Sequence, residues 1–168
     1  SAVKGLTLSW ARTVLGGEAA DADWMEGGAH LSALFGSGGT AGASGCVDFL
    51  DAWYVPGSQQ RPLFQSVMTG HHGGWYGGGA APADWDEPNP VPFLAARGSF
   101  LLAARGPADW AELALQLIES ALRDYGIGAK TGSGYGMTGG AQRVRPSPEP
   151  TEPAGPPERG TGGHPHAN

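Results

Sequence analysis

Cysteine is nearly absent: Cys46 stands alone in 168 residues. One thiol closes no intramolecular disulfide and builds no Cys-based zinc site, which excludes a disulfide-stapled scaffold and points to a reducing compartment. Lysine is almost as scarce, with Lys4 and Lys130 the whole supply. The net charge is −6, so the chain lacks the basic face of a free-standing nucleic-acid binder. Arg143, Arg145 and Arg159 balance Glu149, Glu152 and Glu158, which leaves the whole deficit on the residues before position 139. No apolar run approaches the roughly 20 residues that cross a bilayer, and no charged-then-apolar signal segment opens the chain. These shortages set the expectation of a soluble, cytoplasmic protein with no membrane partner. His164 and His166 have no further histidine or cysteine beside them to complete a metal site, so neither a metal nor a cofactor is expected.

Glycine is abundant, and one stretch concentrates it. Gly126-Ile-Gly-Ala-Lys-Thr-Gly-Ser-Gly-Tyr-Gly136 places glycines around one lysine and one tyrosine. Residues without a Cβ let a phosphate or another backbone approach closely and turn free N–H groups toward it. The stretch is therefore a candidate anion-holding loop, with Gly126, Gly128, Lys130, Thr131, Gly132, Gly134 and Tyr135 as its contacts. The phosphate loop of nucleotide hydrolases is excluded, because Ala129 precedes Lys130 where that loop requires glycine. A dinucleotide fingerprint is excluded because it follows a strand, and here a helix feeds the loop. That helix is predicted over 108–125, with Pro107 and Asp109 as start signals and Leu113, Leu115, Leu117, Ile118, Ala121 and Leu122 as its apolar stripe. Gly126 is its natural stop, as a left-handed cap.

The remaining pattern predicts helices over 1–15 and 21–35, a glycine-rich turn over 36–45, a strand over 46–55 ended by Pro56-Gly57, and an extended piece over 63–68. A glycine and aromatic loop covers 69–81. Val91–Ala96 and Ser99–Ala104 flank Arg97-Gly98, a hairpin signal, and a last strand is expected over 135–138. Mixed helices and antiparallel strands give an α+β class. One strand in front of Ser1 would complete β-α-β-β-α-β, the ferredoxin-like (RRM-like) plan, and the chain is expected to lack that first strand. From Gly139 onward Pro, Glu, Gly and Ser dominate, too polar to offset ordering entropy, so the expected organisation is a partial domain over 1–138 and a disordered tail over 139–168.

Three segments read together carry a family likeness: Ser1-Ala-Val-Lys4-Gly5 opening a helix, Val67-Met-Thr-Gly-His71-His-Gly-Gly-Trp75-Tyr76, and the glycine loop. Over residues 1–138 the chain resembles the RAMP superfamily of CRISPR proteins. Within it the histidine and aromatic loop resembles the sixth-subunit branch of the Cmr complex, the type III-B RNA-guided effector. Asp84, Pro88, Pro90, Val91, Pro92 and Phe93 fit the proline-rich approach to that family's hairpin. Ser66, Gly70 and His72 depart from the pattern, standing where an acidic residue, a proline and an aromatic are expected. The resemblance implies the carboxyl-terminal part of a longer, non-catalytic antiviral subunit that contacts guide RNA near its 3′ end and neighbouring RAMP subunits. Target RNA would be met only indirectly. Lys130 and the loop glycines would cradle phosphates with Lys4, and His71 and Tyr135, beside Trp75 and Tyr76, would stack on bases. Two other functions remain open: a guide-RNA processing endonuclease using His30, His71 or His72, and a pure protein scaffold.

Overall fold

The computed structural model describes residues 1–40, 42–70, 78–79 and 89–144. The expected tail from 145 onward lies outside them, as do His71, His72, Trp75, Tyr76, Asp84 and Pro88.

Helix α1 (Ala2–Trp10) buries Val3, Thr7 and Trp10, a spacing of three to four residues that keeps one face inward. It runs on into a π-helical turn, Ala11–Glu18, where Ala19 N–H reaches back to Val14 O at 2.9 Å. The single helix expected over 21–35 is instead two pieces, a 3₁₀ turn at Ala22–Trp24 and helix α2 at Ala29–Phe35. Gly27 at φ 81° and the extended Gly28 take the chain out of the right-handed helical region between them.

The expected 46–55 strand is two short ones, β1 (Asp48–Phe49) and β2 (Trp53–Tyr54), followed by β3 (Leu63–Gly70), β4 (Asn89–Ala96), β5 (Phe100–Leu101) and β6 (Ala104–Arg105). They form three antiparallel pairs, β1 with β6, β2 with β5, and β3 with β4. The expected hairpin around Arg97-Gly98 does not form. Residues 89–105 are instead one return leg laid against 48–70, with Ser66 opposite Phe93 and Asp48 opposite Arg105. Val55 N–H to Ser99 O (2.9 Å) and Arg97 N–H to Pro62 O (2.8 Å) hold this leg on both sides of Gly98. A tight turn there would forfeit both bonds, so residues 56–61 loop out from the opposite leg instead. The chain is α+β, with helices and an antiparallel ribbon.

Helix α3 (Ala108–Tyr125) is the central pillar. It buries Ala114, Leu117, Ile118, Ala121 and Leu122, while Leu113 and Leu115, expected on the same stripe, are half-buried at its margins. Ala114 and Ala121 have no exposed surface, and such small side chains let a neighbouring helix approach closely. Asp109 in the first turn and Arg123 in the last complement the helix dipole. Trp10 Nε1 donates to Asp124 Oδ2 at 2.7 Å and ties α1 to the end of α3. Phe35 stacks on Phe49 at 5.1 Å, joining α2 to the ribbon. Each fully buried aliphatic or aromatic side chain in this core contributes about 1.5–3 kcal/mol.

Candidate functional site

Gly126 ends α3 as expected and at a positive φ of 67°, which favours glycine, but its ψ of 178° lies outside the left-handed helical region of the expected cap. The chain then makes a closed loop: Ile127 N–H donates to Gly136 O at 2.9 Å. No strand forms over 135–138. None of the described strands pairs with it, and the Gly136 carbonyl accepts instead from Ile127 N–H. The neck is tight, since a Cβ on Gly136 would stand 1.8 Å from Ile127 O. Inside the loop Lys130 is left-handed (φ 67°, ψ 30°), which costs a non-glycine residue about 1–2 kcal/mol. Its carbonyl accepts from Ser133 N–H (2.9 Å) and Tyr135 N–H (3.3 Å), which offset that strain and fix the turn Thr131–Ser133.

This loop lies on one face of the β3–β4 ribbon. Strand alternation puts Phe64, Ser66 and Met68 on that face, and the antiparallel register puts Phe93 and Ala95 beside them. All five are half-buried, whereas Leu63, Gln65, Val67 and Leu94 on the other face are exposed. The Tyr135 hydroxyl shares a hydrogen bond with Ser66 Oγ, and its ring meets Phe93 edge-on at 5.1 Å. Lys130 Nζ lies 2.8 Å from Met68 Sδ and 5.4 Å from the Phe93 ring centre. Further along the same face the Arg97 guanidinium covers the Phe64 ring at 3.9 Å. Neither cation has a carboxylate partner among the described residues, whereas Arg12, Arg105, Arg123 and Arg143 are all ion-paired. The chain is acidic, yet this face sets two cations on aromatic rings with no carboxylate beside them among the described residues. Cations so placed gain about 0.5–1 kcal/mol each from the rings and keep their charge for an anion.

The family model of the RAMP superfamily matches residues 1–137. The chain belongs to the RAMP superfamily. A curated relative, the CRISPR system Cmr subunit Cmr6 of Pyrococcus furiosus, is 37% identical over an alignment of 109 residues that covers 58% of this chain and 32% of that protein. The chain thus spans about a third of that relative's length. The crystal structure of Cmr6 from Pyrococcus furiosus aligns with 65% of this chain and 48% of its own, at 36% identity and a TM-score of 0.43.

The fold of this chain groups some expected site residues and separates others. Lys130 and Tyr135 share the ribbon face, but Tyr135 spends its hydroxyl and ring edge on docking the loop. Gly126, Gly128 and Thr131 turn toward a different place, a cleft of about 560 Å³ shared with Ala2, Leu6, Tyr125 and Ile127. Gly132 and Gly134 are exposed at the loop's outer rim, with open space around them. Lys4 is not at the loop at all. Two residues along a helix is about 200° of rotation, so with Ala2 and Leu6 facing the loop Lys4 faces away, into a second cleft beside Ser37, Gly38, Ser44 and Asp48. His71 lies outside the described residues. His30 sits 4.0 Å from Asp23 and packs against Trp24 at 5.5 Å, remote from the loop in the contacts it makes. Among the described residues no group of three or more His, Cys, Asp or Glu gathers for a metal, and no helix is long and apolar enough to cross a membrane.

Phe64, Ser66, Met68, Phe93 and Arg97 are the residues that sequence reasoning missed. The extended piece over 63–68 is legible in the sequence, but without the pairing of β3 with β4 nothing ties it to a loop some sixty residues away. Tyr135→Phe tests the docking directly. Loss of one hydrogen bond should cost about 0.5–1.5 kcal/mol in chemical denaturation, and hydrogen exchange should quicken in 127–136 before it does in α3.

Proposed function

We propose that the chain is part of a non-catalytic subunit of a type III-B RNA-guided CRISPR complex, in which the loop-on-ribbon face holds guide RNA near its 3′ end. The observation that carries this reading is a pair of cations, Lys130 over Phe93 and Arg97 over Phe64, on one face of one ribbon and without a carboxylate partner among the described residues. Phosphates take Lys and Arg without regard to sequence, and aromatic faces accept any base, which suits a guide whose sequence varies. Membership of the RAMP superfamily and the likeness to a Cmr subunit supply the partners: guide RNA, other RAMP subunits, and target RNA through them. The loop glycines 126, 128, 132 and 134, Thr131, Tyr135, Lys4 and His71 are the further contacts, Lys4 reaching the RNA from a separate cleft. In this reading the fold follows the ferredoxin-like plan, and the compartment is the cytoplasm.

Lys130→Glu should lower incorporation into a reconstituted guide-RNA complex by about tenfold, with a shallow salt dependence because few phosphates are contacted. The fold should change little, since Lys130 is exposed and its side chain gives up only the contacts to Met68 and the Phe93 ring, worth about 0.5–1 kcal/mol. Unchanged co-purification of Lys130→Glu and Arg97→Glu with guide RNA at physiological salt would defeat the proposal, and RNA cleavage by the pure chain that His71→Ala abolishes would replace it with the endonuclease reading.

A further inference from the structure

Lys130 is fixed at its backbone, not at its tip. The bonds that its carbonyl accepts from Ser133 and Tyr135 N–H pin the left-handed turn, so side-chain torsions alone decide where the ammonium goes. The tip rests on Met68, with Nζ 2.8 Å from Sδ. A thioether is a weak acceptor, so this contact holds the ammonium loosely and leaves it able to swing out to an anion. The same sulfur is the oxidisable atom beneath the loop. Met68 is half-buried, and Val91, opposite it on β4, is 52% exposed, which opens this end of the face to a small oxidant.

Hydrogen peroxide transfers one oxygen to a thioether. A sulfur lone pair forms the S–O bond, the O–O bond breaks, sulfur is oxidised by two electrons, and the departing hydroxide takes the remaining proton as water. The sulfoxide oxygen carries partial negative charge and accepts far more strongly than the sulfur did. Methionine turns about three bonds, so this oxygen swings to the ammonium already beside it, and a charge-assisted N–H···O bond replaces a weak N–H···S contact. We propose that Met68 is a redox modification site whose sulfoxide clamps Lys130 to the ribbon and so withdraws one cation from the face. Tyr135 keeps the loop docked through Ser66 and Phe93, so the charge is withdrawn while the loop stays in place. Methionine sulfoxide reductases reverse the change. The clamp stands on the Met68–Lys130 contact, and its consequence for RNA rests on the function proposed above.

Lysine labelling reads the clamp without RNA. The chain has two lysines, so after peroxide treatment and acylation with an N-hydroxysuccinimide ester, peptide mass spectrometry follows Lys130 with Lys4 as internal standard. Oxidation should lower the Lys130-to-Lys4 labelling ratio about threefold or more, with the Met68 sulfoxide seen in the same spectra, and a methionine sulfoxide reductase should restore it. Met68→Leu keeps the volume without the sulfur, so its ratio should not respond to peroxide although Met25 and Met137 oxidise as in the parent. Met68→Gln sets an amide oxygen at the same reach and should show the low ratio without peroxide. A Met68 that resists peroxide in the folded chain, a ratio unchanged by its sulfoxide, or a drop shared equally by Met68→Leu would each overturn the proposal. In the reconstituted guide-RNA complex, peroxide should weaken incorporation of the parent and spare Met68→Leu. Incorporation indifferent to peroxide while the labelling ratio falls would uphold the clamp and overturn the role of Lys130 in holding RNA.

Discussion

Gly136→Ala should undo the loop, at a cost on the order of 3 kcal/mol in urea or thermal unfolding. Two independent penalties act at this position. The residue has φ 68°, a conformation that L side chains rarely adopt, and its Cβ would fall 1.8 Å from Ile127 O. The obstructing atom is backbone, so no rotamer change relieves the clash. Relief requires breaking the Ile127 N–H to Gly136 O bond that closes the neck, and with it the loop loses its position over Ser66, Met68 and Phe93. The contrasting variant is Gly132→Ala. That residue is in open space without positive φ, and alanine should leave stability unchanged or raise it by about 0.4–1 kcal/mol through the unfolded state. Equal behaviour of the two variants would show that the loop is not closed as described.

Trp10→Ala should cost about 3–5 kcal/mol, the largest single loss among the described core positions. Trp10 is 7% exposed and fills the space between α1 and α3, while its Nε1 donates to Asp124 near the last turn of α3. Removing it opens a cavity and leaves Asp124 to the neighbouring Arg123. Trp10→Phe separates the two effects. It keeps most of the volume and drops only the hydrogen bond to a carboxylate, for which about 1.5–3 kcal/mol is expected, less for a part-buried pair. Because Gly126 follows α3 directly, Trp10→Ala should also loosen the glycine loop, read as faster hydrogen exchange in 127–136. An α3 that unfolds at an unchanged denaturant midpoint in Trp10→Ala would refute this account of the α1–α3 seam.

The sequence by itself determined the α+β class, the 108–125 helix with its inward stripe, the stop at Gly126 and the loop beyond it, because each depends on residues close together in the chain. Helical period, a start signal and a glycine stop act within a few turns. It also carried enough of the three family segments for the RAMP likeness, which the family match over 1–137 bears out. Pairing partners are non-local, and only the tertiary structure decided them. Arg97-Gly98 has the local chemistry of a hairpin, yet bonds to Pro62 and from Val55, dozens of residues earlier, hold it in the return leg of a longer ribbon. The same pairing set Phe93 beside Ser66 and brought Lys130 over an aromatic ring. Local composition marks the glycine loop as a candidate binding surface. What lies beneath it, and which cations share its face, followed from the register of two strands, which no window of sequence contains.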